Sequence, residues 1–382
     1  MRRSVLHSRS ALRLALTRRP GRAHTARISV LERRRLNASP PPRRKRSRGR
    51  YRPHPVQQAH SADTQPDPIV RPEGLPVLVR RWLDAAGISD PVLRNCYTTC
   101  VREAADRDGG HLRWWGLRAV PAPVRPHVGA LAAMAFTADD YSDTGPVAQR
   151  RCRFDAYTDA VLSAIAAGHA TDPVLHATAH TVRTLGLPVS LCEEAFAAMR
   201  EDIDFSGFTT YEELQRWSAK STGSPMVVMA SLMTDPDTAR RLEPALREFG
   251  ELFQFMDVLC DLGKDLRDGR LYLPLEDLDR FGVRAEDLRA GRWTAAAAEL
   301  IAFETARITH RLPTLSTELQ RRTGVSFIGV LEKHCHLLLR EVLAAGPALL
   351  NRSARPRFAD VLDIWLPHWR NTIPGDHKEG LS

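Results

Sequence analysis

The chain has 382 residues and a formal charge of +10, a balance that would suit a nucleic-acid-binding protein if it were spread over the fold. Of its 55 basic and 45 acidic residues, however, 18 and one (Glu32) lie before residue 63, which leaves 37 and 44 for the rest, a mildly acidic body. The sequence therefore excludes a basic nucleic-acid-binding body, and with no run of about 18 apolar residues it offers no segment that should span a bilayer.

Residues 1–72 read as a disordered Arg/Pro-rich extension. Arg33-Arg34-Arg35 and Pro40-Pro41-Pro42-Arg43-Arg44-Lys45-Arg46 repel themselves and offer little to bury. Arg- and Ser-rich and nearly free of acid, this tail also has the composition of a transit peptide. With only five Lys in the whole chain its Arg bias is partly background, so an unstructured extension on a cytoplasmic protein is preferred to an organelle address. Leu12 to Leu16 is too short for a secretory signal. The six cysteines (Cys96, Cys100, Cys152, Cys192, Cys260, Cys335) include no Cys-x-x-Cys pair, which suits reduced thiols rather than zinc or disulfides.

A Pro-rich linker over about residues 63–76 leads into helical periodicity. Leu78, Val79, Trp82 and Leu83 have the three-and-four spacing of an amphipathic helix over 77–86. Pro126 to Asp140 is apolar on most sides, as in a helix buried among helices. Further helices are predicted near 153–167, 172–185, 189–203, 211–232, 238–266, 294–311 and 325–349, with breaks at Gly186-Leu187-Pro188, Ser206-Gly207 and Gly346-Pro347. No stretch alternates with period two and no repeat recurs. The prediction is an all-α domain over 73–350 with its site among facing helices, followed by a partly helical C-terminal segment, 351–382.

Two of these helices end in acids at i and i+4. Asp139-Asp140-x-x-Asp143 closes one, and Asp261-x-x-x-Asp265 lies on another after Phe253-Gln254-Phe255-Met256-Asp257. Carboxylates four apart share one helix face, roughly 6 Å apart. They can hold Mg²⁺, which prefers oxygen ligands from one or two carboxylates plus phosphate and water. A solvated acidic turn is the plain alternative for either motif alone. Two motifs on separate apolar helices favour a shared metal site, because unpaired carboxylates beside a core are costly.

The residues after the second motif, Gly269-Arg270-Leu271-Tyr272-Leu273-Pro274 and then Phe281-Gly282-Val283, resemble the squalene and phytoene synthase family, where N-I-x-R-D-x-x-E-D leads into G-R-x-Y-L-P. The first motif is similar to the family's D-D-x-x-D, and Arg200-Glu201-Asp202, Tyr211-Glu212-Glu213-Leu214 and Gly223-Ser224 follow its central segment in order. The resemblance covers about residues 75–350. It implies an all-α isoprenoid-synthase bundle with a central cavity, an isoprenyl diphosphate substrate and two to three Mg²⁺ ions. It further implies Asp139, Asp143, Asp261 and Asp265 as ligands, with Asp140 behind them. Gln254, Arg270 and Tyr272 match polar positions of the family, and Asp202 falls where the family carries an Asp near the cavity.

Departures from the pattern shape the functional expectation. Phe136 and Cys260 stand where the family has arginines that grip phosphate through paired, charge-assisted hydrogen bonds. Asp257 replaces an Asn and is read as a further metal ligand, with plain helix-face polarity as the alternative. Lys264 replaces a Glu, and Trp217-Ser218-Ala219 replaces a Tyr-Cys-Tyr segment. Trp217 and Phe136 could wall an acceptor or carbocation pocket, or could simply pack. His334-Cys335-His336 is not read as a metal site, because i and i+2 point apart on a helix. The expected function is a Mg²⁺-dependent prenyltransferase using one isoprenyl diphosphate and a small-molecule acceptor without diphosphate, aromatic for example. The alternatives are head-to-head coupling with a second isoprenyl diphosphate, terpene cyclisation, or a non-catalytic scaffold. An apolar product is compatible with peripheral membrane contact.

Overall fold

Apolar residues at helical spacing and well-placed caps turn each predicted stretch into a helix. The protein is described here from a computed structural model, covering residues 77–106, 117 and 119–372. The readings of residues 1–72 and of Trp114-Trp115, expected as a packing feature, lie outside the described residues. The helices are α1 (Val77–Ala85), α2 (Pro91–Asp106), α3 (Arg125–Asp143), α4 (Val147–Ala167), α5 (Pro173–Leu185) and α6 (Val189–Ile203). Next, α7 (Tyr211–Ser218) passes through a π-helical turn (Ala219–Gly223) into α8 (Ser224–Met233). There follow α9 (Pro236–Arg267), α10 (Leu275–Phe281), α11 (Ala285–Arg289), α12 (Ala295–Thr323), α13 (Phe327–Ala345), a 3₁₀ turn (Gly346–Leu350) and α14 (Phe358–Thr372). No strand occurs among the described residues, and the predicted all-α class holds.

Several starts are set by side chains that satisfy exposed amide groups. Asp172 accepts from Val174 and Leu175 N–H at α5, Asp235 from Thr238 N–H at α9, and Thr210 with Glu213 forms a capping box at α7. Three departures from the predicted boundaries have physical causes. Helix α2 was not anticipated, because Asn95, Thr98 and Thr99 are weak helix formers. Thr98 and Thr99 turn their hydroxyls back onto the carbonyls of Arg94 and Asn95, while Cys96, Tyr97, Cys100 and Val101 supply a buried face. Helix α12 runs past Pro313 to Thr323, beyond the predicted end near 311. The continuous helix predicted over 211–232 is instead wound more loosely at 219–223.

Helix α9, 32 residues and roughly 48 Å long, is the axis of the larger core, which it shares with α7, α8, α10, α12, α13 and α14. Helices α1 to α5 build a second core around Leu83, Tyr97, Phe154 and Val161. Helices α6 and α8 give side chains to both. The main cavity opens along that seam, lined from α3, α6, α7 and α8. Two glycines allow the backbone approaches that hold the seam. A Cβ on Gly250 would stand 2.6 Å from Gly223 Cα, and one on Gly263 would stand 2.3 Å from the Leu349 carbonyl oxygen.

Candidate active site

The first aspartate motif closes α3, a helix buried around most of its circumference, so its carboxylates emerge at the edge of the core. Asp139 is 7% exposed and lines the cavity together with Ser142; Asp140 and Asp143 stand beside it, half-buried. On α9, Gln254, Asp257, Asp261 and Asp265 follow at spacings of three, four and four, a single stripe along one face. Asp261 and Asp265 are buried, at 3% and 2% exposure.

The α7–α8 π turn faces this stripe. Ser221 and Thr222 both donate their hydroxyls to Gln254 Oε1, and Gln254 Nε2 is buried without a hydrogen-bond partner among the described residues. Both hydroxyls thus reach Gln254 from within the loosely wound π turn.

Arg270 joins the two motifs. Its N–H donates to the Asp265 carbonyl oxygen (2.8 Å), and its guanidinium donates to Asp202 Oδ2 (3.0 Å) and reaches Asp143 Oδ1 at 3.4 Å. Tyr272, stacked on Phe205 with ring centres 4.3 Å apart, donates its hydroxyl to the other oxygen of Asp202. Asp202 also lines the cavity. The residues after the second motif therefore fold back to tie it to the first.

A second arginine arrives from a segment set apart from the domain in the sequence reading. After the 3₁₀ turn the chain returns over α9, where Ala354 N–H donates to the Cys260 carbonyl (2.8 Å) and Arg355 Nη2 donates to Asp261 Oδ1 (2.6 Å). Only the basic residues Arg352, Arg355 and Arg357 marked this stretch in the sequence, and nothing there connected it to a site 94 residues earlier. Cys260 itself turns into the core against Met256 sulfur (3.6 Å). Lys264 pairs with Asp268 (3.1 Å), and burial draws its ammonium below the ordinary lysine range against the pull of Asp265 and Asp268.

Trp217 lines the cavity, held by a hydrogen bond from its indole N–H to the Ala198 carbonyl (3.0 Å). Phe136 is buried in a small cluster with Ala104 and Ala132 and, unlike Ala132, is not among the cavity-lining residues. The cavity, about 150 Å³, is otherwise walled mainly by apolar side chains, and Asp139, Ser142, Asp202 and Ser221 mark its polar end. Asp143, Asp257, Asp261 and Asp265 are not part of its lining. Of the histidine pair, His334 is buried against Trp365, while His336 lies 3.8 Å from Glu332. All six cysteines are free thiols.

Among the described residues no group of three or more His, Cys, Asp or Glu converges to hold a metal ion. The donor set nonetheless fits Mg²⁺. It consists of carboxylates alone, disposed on two helices, which suits an ion that completes its shell with water and substrate phosphate. Asp261 and Asp265 are buried, at 3% and 2% exposure, and a divalent cation there would add to the charge compensation that Arg355 gives Asp261.

A profile of squalene/phytoene synthase matches residues 107–372. The chain belongs to the squalene/phytoene synthase family. Members of that family are prenyltransferases. The chain is 31% identical over 227 residues to the bifunctional protein CrtB/UppS of Streptomyces coelicolor, a match covering 59% of this chain and 39% of that protein. It is 26% identical over 185 residues to phytoene synthase of Mycobacterium tuberculosis, covering 48% and 60%. The matched stretches thus fall short of two thirds of these relatives' lengths. Among solved structures, squalene synthase HpnC from Alicyclobacillus acidocaldarius superimposes with a TM-score of 0.55 at 25% identity, covering 71% of this chain and 99% of that one.

Proposed function

We propose that this prenyltransferase couples two isoprenyl diphosphates head to head, ionising them at the paired aspartate motifs. The expectation of an acceptor without diphosphate rested on Phe136 and Cys260 standing where arginines would be. The observation that favours the two-diphosphate reading is that guanidinium groups reach the motifs from elsewhere: Arg270 between Asp143 and Asp202, and Arg355 on Asp261. Each is a planar fork that can exchange a carboxylate partner for phosphate oxygens. Phe136, packed with Ala104 and Ala132, is not among the cavity-lining residues and so gives no support to an acceptor pocket at that position.

In this reading Asp139 and Asp143 on one side, and Asp257, Asp261 and Asp265 on the other, would hold Mg²⁺, which when bound supplies charge neutralisation for the leaving diphosphate. Arg270 and Arg355 bind and orient the phosphate oxygens. Tyr272 holds Asp202 in place at the polar end of the cavity. The apolar walls from α3, α6 and α8 would exclude water from the prenyl cation, and Trp217, which lines the cavity, would offer an aromatic ring to positive charge. Among the described residues no helix is long and apolar enough to cross a membrane, so an apolar product would pass to a bilayer by peripheral contact.

The test uses purified full-length protein, Mg²⁺ and ten-, fifteen- or twenty-carbon allylic diphosphates singly, with products analysed by mass. A symmetric product with twice the carbon count of its substrate is expected. Product formed only when an acceptor from cell extract is added would overturn this reading in favour of acceptor prenylation.

A further inference from the structure

The second motif carries a cation among its carboxylates. Lys264 lies between Asp261 and Asp265 in the chain, at the position where the family has Glu, and its side chain is 21% exposed. At about 100° per residue, Asp257, Asp261 and Asp265 fall within roughly 40° of one line along α9, and Lys264 stands roughly 20° beyond Asp257 on the same side. We propose that Lys264 binds the substrate diphosphate directly and takes the place of one Mg²⁺ ion at the second motif. This inference rests on the isoprenyl diphosphate reading of the site.

The surroundings of the ammonium support it. An ammonium has three hydrogen-bond donors. Asp268, one turn further on, accepts one of them at 3.1 Å, and the ammonium makes no other hydrogen bond among the described residues. Asp265 and Asp268 attract it, while Arg270 repels it. Arg270 is itself largely buried, at 13% exposure, with its guanidinium shared between Asp202 and Asp143. Two mostly buried cations therefore stand near each other at the end of the second motif. A polyanion accepting hydrogen bonds from both would relieve their repulsion, and a diphosphate has oxygens enough to do so. Asp268 is 42% exposed, so the ion pair that Lys264 now makes is screened by water and easily exchanged for phosphate.

The same ammonium works against a metal ion. An ion held by Asp261 and Asp265 would lie beside a positive charge and be repelled by it. Glu at 264 would instead offer a further carboxylate oxygen, the donor type that Mg²⁺ prefers. A base in place of an acid thus removes a ligand and adds a charge, and both changes lower the number of ions the motif takes up. Lysine suits the exchange, being a compact point charge on a flexible stem that can follow the phosphate oxygens.

The experiment measures diphosphate affinity and ion count separately. Full-length protein, native and with Lys264→Met or Asp268→Asn, is titrated calorimetrically with inorganic diphosphate in the presence of Mg²⁺. Lys264→Met should weaken binding about tenfold or more, because a hydrogen bond between charged groups is lost. Asp268→Asn breaks the same ion pair but keeps the ammonium, so it should leave affinity unchanged or tighter. Lys264→Gln serves the same purpose should the methionine variant fail to fold. Mg²⁺ bound per protein is then counted by equilibrium dialysis and elemental analysis, with an unreactive allylic thiolo-diphosphate at saturation. Lys264→Glu should hold one more ion than the native protein. Unchanged affinity in Lys264→Met, an equal loss in Asp268→Asn, or an unchanged ion count in Lys264→Glu overturns the assignment. If affinity and ion count change as expected but no coupled product forms, the role of Lys264 stands and the coupling reading fails. If coupled product forms while affinity and ion count stay unchanged, the reverse holds.

Discussion

Gly263→Ala tests whether the returning C-terminal segment is held at the second motif as described. The added Cβ would stand 2.3 Å from the Leu349 carbonyl oxygen and 2.5 Å from the Leu350 carbonyl carbon, backbone atoms that cannot swing aside. In an exposed helix the same change would stabilise by about 1 kcal/mol. Here overpacking costs about 1–3 kcal/mol. Pushing the segment away also breaks the hydrogen bond from Ala354 to Cys260, worth about 1 kcal/mol. The ion pair of half-exposed Arg355 adds at most about 1 kcal/mol. The balance is a net loss of about 2 kcal/mol, read as a lowered urea midpoint with unchanged slope. Diphosphate release should fall as well, because Arg355 moves with the segment. Arg355→Met provides the contrast, with stability within about 1 kcal/mol of native and a comparable loss of activity. A Gly263→Ala protein as stable and as active as native would refute the packing of this segment on α9.

Arg270→Met should raise KM for the diphosphate ten- to a hundredfold, since the link between Asp143 and Asp202 is cut. Arg270→Lys should recover only part of the loss, because lysine has no planar fork. Tyr272→Phe should cost about 1–2 kcal/mol in urea unfolding by removing a donor from Asp202, with slower product formation. Stability should also depend on pH in a defined way. Burial holds His127 and His334 down to about 4, so both stay neutral when folded while the unfolded chain takes up protons below about 6.5. Each therefore contributes stability that is present above pH 6.5 and lost, by about 3 kcal/mol, as pH falls toward 4. Burial, reinforced by Asp277 and opposed by Arg307, pushes Glu304 up to about 8. Its contribution is present below the unfolded carboxyl pKa and lost as pH rises through 8. Urea midpoints at pH 4.5, 6.5 and 8 should show His334→Leu reducing the acid-side loss and Glu304→Gln reducing the alkaline-side loss.

The helical class and both aspartate motifs could be read from the sequence because helix periodicity and i, i+4 spacing are local properties. The stripe from Gln254 to Asp265 is visible for the same reason. What could not be read depends on contacts distant in sequence. Arg355 meets Asp261 only because the chain reverses after the 3₁₀ turn at 346–350, a reversal that leaves no periodic trace. Arg270 was recognised from its motif, but its bridge to Asp143 and Asp202, 127 and 68 residues away, depends on how α3, α6 and α9 pack. Phe136 and Cys260 are visible as departures from arginine, but where the guanidinium groups of Arg270 and Arg355 come to rest is not. Helix α2 escaped because its threonines look unsuited to a helix until their hydroxyls are seen bonded to the preceding turn.

The central claim is that two diphosphates are consumed at one site, and its most direct measurement is stoichiometry. With a single labelled isoprenyl diphosphate, Mg²⁺ and no other acceptor, inorganic diphosphate and coupled apolar product are quantified in the same reaction. The account predicts two diphosphates released per molecule of product, with release abolished by Asp139→Asn or Asp261→Asn. One diphosphate per product carrying a single prenyl group, or full release from the Asp139→Asn and Asp261→Asn proteins, would contradict it.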